Sequence, residues 1–462
     1  MTQLKKTLLA TLPLTFLLTF LAIATLFGGC SSAPSAGSNI HAEQIPLVGA
    51  YKVNRFSLPN GLHLLVVEDH TSPTFSYQTW FRVGSRNEIP GKTGLAHLFE
   101  HLMFKATSTH PEGEFDRILE GDGVEGENAF TSWDYTAYVQ ELPKDKLDVI
   151  ASLESDRMVN LIVNEQSFKT EREVVQNERR YRTENSPDGT LWQELFGLAY
   201  TIHPYHWPVI GYQADLDAMT AQDPRDFYHA YYSPNHATIV VSGDVDPQLV
   251  LATITKHYGS FAPQNAPDHV IPQEPEQTSV RRKNVKLNIQ VEKLIMAYHV
   301  SAVASSEDPA LNVLEGILSG GKSSRLARAL VDTGIASAAE ANNLEMKDPG
   351  IFAFEVSLQK GKKATQAEAV ILREIQKLAN KPVGDAELKR VKNRIDFGFY
   401  EGLGNNSQRT NFLGRYEALT GDFEQGIKAH QRVQTVTADE ITQLIHKYFN
   451  PKNRTVVTGV AQ

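Results

Sequence analysis

The period of apolar and polar positions changes several times along the chain. RFSLPNGLHLLVVED, from Arg55, alternates on both sides of Pro59-Asn60-Gly61, which predicts two strands joined by a tight turn. SYQTWFRVG, from Ser76, alternates like a half-buried strand, and NAFTSWDYTAYVQEL, from Asn128, alternates again. GLAHLFEHLMF, from Gly94, and KLDVIASLESDRMVN, from Lys146, switch to helical spacing. Strands and helices in mixed order, with no repeated strand–helix–strand unit, predict an α+β fold whose mixed sheet carries helices on one face.

The pattern also repeats. The segment beginning TAQDPRDFYHAYYSPNHATIVVSGDV at Thr220 can be laid over TADEITQLIHKYFNPKNRTVVTGV at Thr437. Tyr231 then falls on Tyr448, Pro234 on Pro451 and Thr238 on Thr455. Each copy reads as a helix, a turn closed by Pro and a strand ending in Gly, which points to a duplicated domain. FAPQNAPDHVIPQEPEQTSV, rich in Pro and polar residues, lies between the halves and reads as a linker. The expected organisation is a first half at 46–262, a linker at 263–280 and a second half at 281–462.

The N-terminus follows different rules. Lys5 and Lys6 lead into an apolar run, Leu8 to Phe27, that ends in Gly28-Gly29-Cys30. This reads as a secretory signal over 1–30, followed by a flexible tether over 31–45. Cys30 is the single cysteine of the chain, so no internal disulfide forms. A long run of this kind also fits an uncleaved membrane anchor. At 462 residues with 41% apolar content the body can bury more than one core, and a net charge of −9 argues against a nucleic-acid partner.

One helix carries unexpected chemistry. His97, Glu100 and His101 stand at i, i+3 and i+4 among Leu95, Leu98, Phe99, Leu102 and Met103, so they share one face. Two histidines four apart can hold one metal ion with a carboxylate beside it; a chance meeting of polar residues gives the same pattern. A third ligand is needed, and FKTEREVVQNERRYR offers Glu171 and Glu178, two helical turns apart. A helix so rich in charge also fits a plain solvated face. His203 and His206, in HPYHWP, are flanked by prolines and read as structural.

His97-Leu98-Phe99-Glu100-His101 with Glu178 downstream resembles the inverted zinc motif of the pitrilysin and insulinase family of metallopeptidases. LPNGL, NAFTSWDYTAY, HPYHWPVIG, YYSPNHATIVVSGD and GGKSSRL stand in the family's order. The resemblance implies one Zn²⁺ held by His97, His101 and Glu178, with Glu100 as the general base. Glu171 would orient a histidine or support Glu178. GDGVEGENAFTSW would be an edge strand that binds the peptide substrate, with Asn128 and Ala129 near the scissile bond. Two such α+β halves would form one half of a clam-shell chamber, the first bearing zinc. The second lacks it, since Leu314 and Leu318 fall where the histidines would be.

The family's C-terminal half supplies an arginine and a tyrosine to the reacting carbonyl. This chain has Val331 and Ser337 at those places, with Arg325 and Arg328 nearby. The implied assembly is a heterodimer with a zinc-less homologous chain that brings the Arg/Tyr pair. The same fold also serves as a non-catalytic structural or binding subunit, which is the alternative. Cys30 after the apolar run resembles the lipidation site of bacterial lipoproteins. It implies a body anchored to a membrane by lipid and facing the bacterial periplasm, with Ser31 compatible with the outer membrane.

Overall fold

The alternating segments of the first half become strands β1 (His41–Val48), β2 (Tyr51–Ser57), β3 (His63–Glu68), β4 (Thr74–Phe81), β5 (Glu125–Thr131), β6 (Thr136–Pro143) and β7 (Ala237–Gly243). This is a computed structural model, and it describes residues 40–267 and 270–462. Cys30 and the apolar run before it lie outside the described residues. Among the described residues these strands form one sheet in the order β1-β2-β3-β7-β4-β6-β5, antiparallel except where β3 meets β7. The turn at Pro59-Asn60-Gly61 joins β2 to β3 as predicted. Gly61 has φ +85° and lies so close to Asn235 that a Cβ would stand 2.7 Å from that side chain. NAFTSWDYTAYVQEL is a hairpin rather than one strand, because the chain reverses between Thr131 and Thr136.

The second sheet is built from β8 (Arg281–Leu287), β9 (Lys293–His299), β10 (Ala336–Asn343), β11 (Ile351–Leu358) and β12 (Arg454–Ala461), in the order β10-β11-β9-β12-β8. The repeated segments end in β7 and β12, and these occupy equivalent places. Each lies between one parallel and one antiparallel neighbour: β3 and β4 in the first sheet, β8 and β9 in the second. The predicted tether boundary at residue 45 falls inside β1. Ile45 and Leu47 are buried while Gln44 and Pro46 are exposed, so the last residues assigned to the tether already alternate as an edge strand.

Each half packs its own helices on one face of its sheet. In the first half these include α1 (Leu95–Leu102), α2 (Glu114–Gly121), α3 (Leu147–Asn160) and α4 (Glu165–Arg179). The opposite faces are covered by exchange. Helix Asn406–Thr420, from the second half, lays Leu413, Tyr416 and Leu419 over Val53, Leu65, Trp80 and Val240 of the first sheet. In return, α5 (Pro187–Ala199) lays Leu191, Leu195 and Phe196 over Ile295, Ala297, Ile351 and Val457 of the second. The exchanged helix is pinned by Arg409, which bonds Asp69 and Ser242 and stacks over Tyr51. The described residues therefore form one compact unit.

The tightest point of this exchange is Gly414, where a Cβ would stand 2.2 Å from the Trp80 indole nitrogen. Gly414→Ala should therefore cost about 1–3 kcal/mol through overpacking. Gly398→Ala meets nothing within 4 Å and should be neutral or gain about 0.5–1 kcal/mol of helix propensity. Thermal unfolding of the two variants against the parent checks the contrast.

Candidate metal centre

Helix α1 is fixed before any ligand is considered. Its entry residue Gly94 has φ +89°, and a Cβ there would stand 2.6 Å from the Ile210 carbonyl oxygen, so only glycine fits. The unpaired N–H groups of the entry turn donate to a buried carboxylate: Gly94 and Ala96 to Glu88, at 3.0 and 2.8 Å. Burial pushes the Glu88 carboxyl well above its usual range, against the pull of those bonds. Leu95, Leu98, Phe99 and Leu102 enter the core, with Phe99 against Tyr228 and Tyr232. The remaining stripe, His97, Glu100 and His101, then has to face a cavity of about 840 Å³.

Helix α4 forms the facing wall. Asn164 caps it, accepting from the Ser167 N–H at 2.8 Å while the Ser167 hydroxyl accepts from the Asn164 N–H at 3.2 Å. Glu171 and Glu178 both face α1. Glu178 Oε2 lies 3.7 Å from His97 Nε2 and 3.3 Å from His101 Nε2. Ligands at zinc's usual bond lengths in a tetrahedron stand about 3.3 Å apart, so the Glu178 contact to His101 has that spacing and the one to His97 is longer. His97, Glu100 and His101 also bring one ligand atom each within 4.8 Å of one another, and this cluster could hold a metal ion. Glu171 Oε2 lies 3.4 Å from His101 Nδ1, and Lys105 holds the other Glu171 oxygen at 2.7 Å. A carboxylate on the Nδ1 side of His101 favours a proton there, with Nε2 on the side of Glu178.

The electrostatics separate the two histidines. Burial and the neighbouring imidazole push His97 down to about 4. Burial also pulls on His101, but Glu171 and Glu178 carry it up to about 9. Glu100 is raised by burial, against the hydrogen bond from Thr131, whose hydroxyl donates to Glu100 Oε2 at 2.5 Å. Thr131 ends β5, the edge strand, so one residue links the candidate base to the sheet edge.

The predicted substrate-side residues lie along the same cavity. Asn128 and Ala129 sit on β5, and the Ala129 N–H donates to the Asn128 side-chain oxygen at 2.9 Å. β5 pairs with β6 on one side and is bulged between Glu125 and Asn128. A separate apolar hollow of about 470 Å³, lined by Trp133, Trp192 and Phe196, adjoins the cavity through Val209 and Ile210.

His203 and His206 do not form a second pair of ligands. His203 Nε2 meets Asp348 at 3.0 Å and its Nδ1 accepts from the Tyr205 N–H, while His206 bonds the His203 carbonyl. In the second half Leu314 and Leu318 are fully buried in helix Asp308–Ser319. The sequence reading missed Glu88, Lys105, Thr131 and Arg182. Arg182 alone had a local signal, four residues after Glu178, where its Nε lies 2.9 Å from Glu178 Oε1 in an ion pair.

Comparisons with known proteins agree with this architecture. The family described as Insulinase (Peptidase family M16) matches residues 64–211, which contain both histidines and Glu178. The one described as Peptidase M16 inactive domain matches residues 218–395. The chain is 33% identical over 430 residues to the zinc protease PqqE of Helicobacter pylori, covering 91% of this chain and 95% of that protein. The crystal structure of a protease from Helicobacter pylori superposes with a TM-score of 0.84 at 32% identity, over 89% of this chain and 100% of that one. The periplasmic protease PqqL from Escherichia coli shares the fold at a TM-score of 0.74 and 19% identity, and the match spans 91% of this chain but 48% of PqqL. With both halves matched in order and a relative similar along nearly its whole length, the chain belongs to the insulinase family, peptidase family M16.

Proposed function

We propose that this chain is a zinc-dependent endopeptidase that cleaves peptides or unfolded segments. One observation carries the reading. Two imidazole nitrogens lie 3.7 and 3.3 Å from one carboxylate oxygen, beside a buried glutamate and the edge of a sheet. His97, His101 and Glu178 hold the ion, and bound zinc supplies Lewis acidity toward the scissile carbonyl and water. Glu100 takes a proton from the attacking water and returns it to the leaving amine. Burial brings its carboxyl closer to neutrality, where such a shuttle works best. Thr131 holds one Glu100 oxygen and so fixes the plane of the carboxylate.

An extended peptide adds to β5 through main-chain hydrogen bonds, with Asn128 and Ala129 beside the bond to be cut. In doing so the Ala129 N–H exchanges the Asn128 side-chain oxygen for a substrate carbonyl. The apolar hollow beyond Val209 and Ile210 suits an apolar substrate side chain.

The active assembly is a heterodimer with a homologous, zinc-less chain that contributes an Arg/Tyr pair. Arg325 is held by two bonds to Glu387, and the Ser337 hydroxyl donates to the Ser357 carbonyl. Neither Arg325, Ser337 nor the apolar Val331 is available to the reacting carbonyl in the way that pair requires. The match to about half of PqqL supports two bodies of this size in a complete chamber. The chain is anchored to a membrane through lipid on Cys30 and faces the periplasm.

Purified protein should carry one zinc per chain, lost in His97→Ala and Glu178→Gln. Elemental analysis checks this, and a metal-free parent would instead favour the non-catalytic subunit of the same fold. Glu100→Gln should keep its zinc while peptide hydrolysis falls by roughly two to four powers of ten. The isolated chain should be at least about a hundredfold slower than the chain co-expressed with a zinc-less relative, since it lacks the carbonyl donors. Full activity of the chain alone would defeat the two-subunit assembly. Cys30→Ser should abolish labelling by a fatty-acid probe and release the protein from membranes.

A further inference from the structure

We propose that the apolar hollow beside the metal cavity selects the substrate, taking one large aromatic side chain from the N-terminal side of the bond to be cut. This deepens the peptidase reading above and rests on it. The hollow holds about 470 Å³ and shares Val209 and Ile210 with the metal cavity, so a peptide lying in one can reach into the other. The two spaces differ in chemistry. The metal cavity carries carboxylates, imidazoles and the cations of Lys105 and Arg182, whereas no charged side chain among the described residues lines the hollow. A charged substrate side chain entering it would lose its water without gaining a partner.

The walls are flat and held in advance. Gly189, Trp192, Gln193 and Phe196 stand at i, i+3, i+4 and i+7 of α5 and so present one face to the hollow. Trp133, from the β5–β6 turn, stacks on Phe196 with centroids 4.5 Å apart at 28°, and Trp192 lies 6.2 Å from Phe196 at 35°. The polar ends of both indoles are engaged elsewhere. Trp133 Nε1 donates to the Trp207 carbonyl at 3.4 Å, and Trp192 Nε1 donates to Glu355 at 3.1 Å. The Gln193 side-chain oxygen likewise accepts from Arg179 at 3.0 Å. What both indoles offer the hollow is therefore ring surface, which favours another ring in offset stacking. No side chain rises from Gly189, where a Cβ would stand 2.0 Å from the Arg182 carbonyl oxygen. Trp133 and Trp192 remain only half-buried, and open apolar surface of this kind beside a polar cleft marks a binding site.

Strand direction fixes the side of the cut. Trp133 comes two residues after Thr131, whose hydroxyl bonds Glu100, so the hollow adjoins the C-terminal end of β5. A peptide that adds to β5 in the antiparallel sense, the more stable pairing per residue, runs with its N-terminal part toward that end.

Cleavage of an unbiased peptide library by the full chain, alone and co-expressed with its zinc-less relative, can be mapped by mass spectrometry. Phe, Tyr or Trp should be enriched within about three residues before the cut. In matched peptides kcat/KM should be roughly tenfold to a hundredfold higher for Phe than for Ala at that place, and lower still for Asp. Leu344 and Asn342, on the wall supplied by the second half, test the pocket from outside the metal centre. Leu344→Glu should cut the Phe-to-Ala ratio at least about tenfold and raise peptides with Lys or Arg there, with zinc content kept. Asn342→Trp, which fills the same space with a tethered ring, should bring the ratio close to unity. An aromatic preference after the cut, none at all, or one unmoved in a variant that keeps its zinc would overturn the pocket and leave the peptidase standing. Cleavage of no peptide by the zinc-loaded protein would sink the peptidase reading and the pocket with it.

Discussion

The metal centre depends on the seating of one short helix. Two turns of helix are marginal on their own, and α1 has only eight residues. What holds it is burial: Leu95, Leu98, Phe99 and Leu102 are in the core, and the first N–H groups end on a carboxylate that is itself out of water. Rotating α1 by one residue would expose a leucine and bury an imidazole, so the apolar side dictates where the polar stripe points. The two imidazoles stand at 66° to one another with centroids 4.9 Å apart, and both lie within 4 Å of Glu178. Hydrophobic packing on the far side of the helix therefore sets where the two histidines and Glu100 point.

The second half has kept the packing and given up the ligands. Its helix Asp308–Ser319 places leucines where the first half has histidines, and these fill a core instead of a site. Its contribution is mechanical. Besides the exchanged helix, it closes a polar junction immediately behind the β5–β6 turn. Asp134 accepts from the Tyr205 hydroxyl and from the Lys347 N–H, while Arg86 and His203 both bond Asp348. The β5–β6 turn is thus tied to the other half of the chain. Duplication here has separated chemistry from support.

Much of this was legible in the sequence. The His97, Glu100, His101 spacing is a property of one helix, and a helix brings i and i+4 together wherever it lies. Glu171 and Glu178 likewise share a face, although only tertiary packing could bring that face to α1. Glu88, Lys105 and Thr131 were not legible because their roles exist only through contacts from other elements. Arg182 was within reach of the helical i, i+4 rule but stood in a charge-rich stretch where many such pairs can be drawn. The exchange of helices was hidden for another reason: Asn406–Thr420 is buried on several sides, so its apolar residues do not mark a single face. At β1 the boundary slipped because the polar tether passes into a strand exposed on one side without a change in composition.

The bulge in β5 has a bearing on solubility. An edge strand with unpaired main-chain groups invites a second copy of the same strand, and long flat edges are where sheets join into aggregates. β5 is interrupted between Glu125 and Asn128, Gly126 takes a positive φ, and the Ala129 N–H is already covered by the Asn128 side chain. This edge strand is thereby short, kinked and self-capped. Another folded copy would have to match the kink to pair with it. The same irregularity that shapes the cleft keeps neighbouring molecules apart.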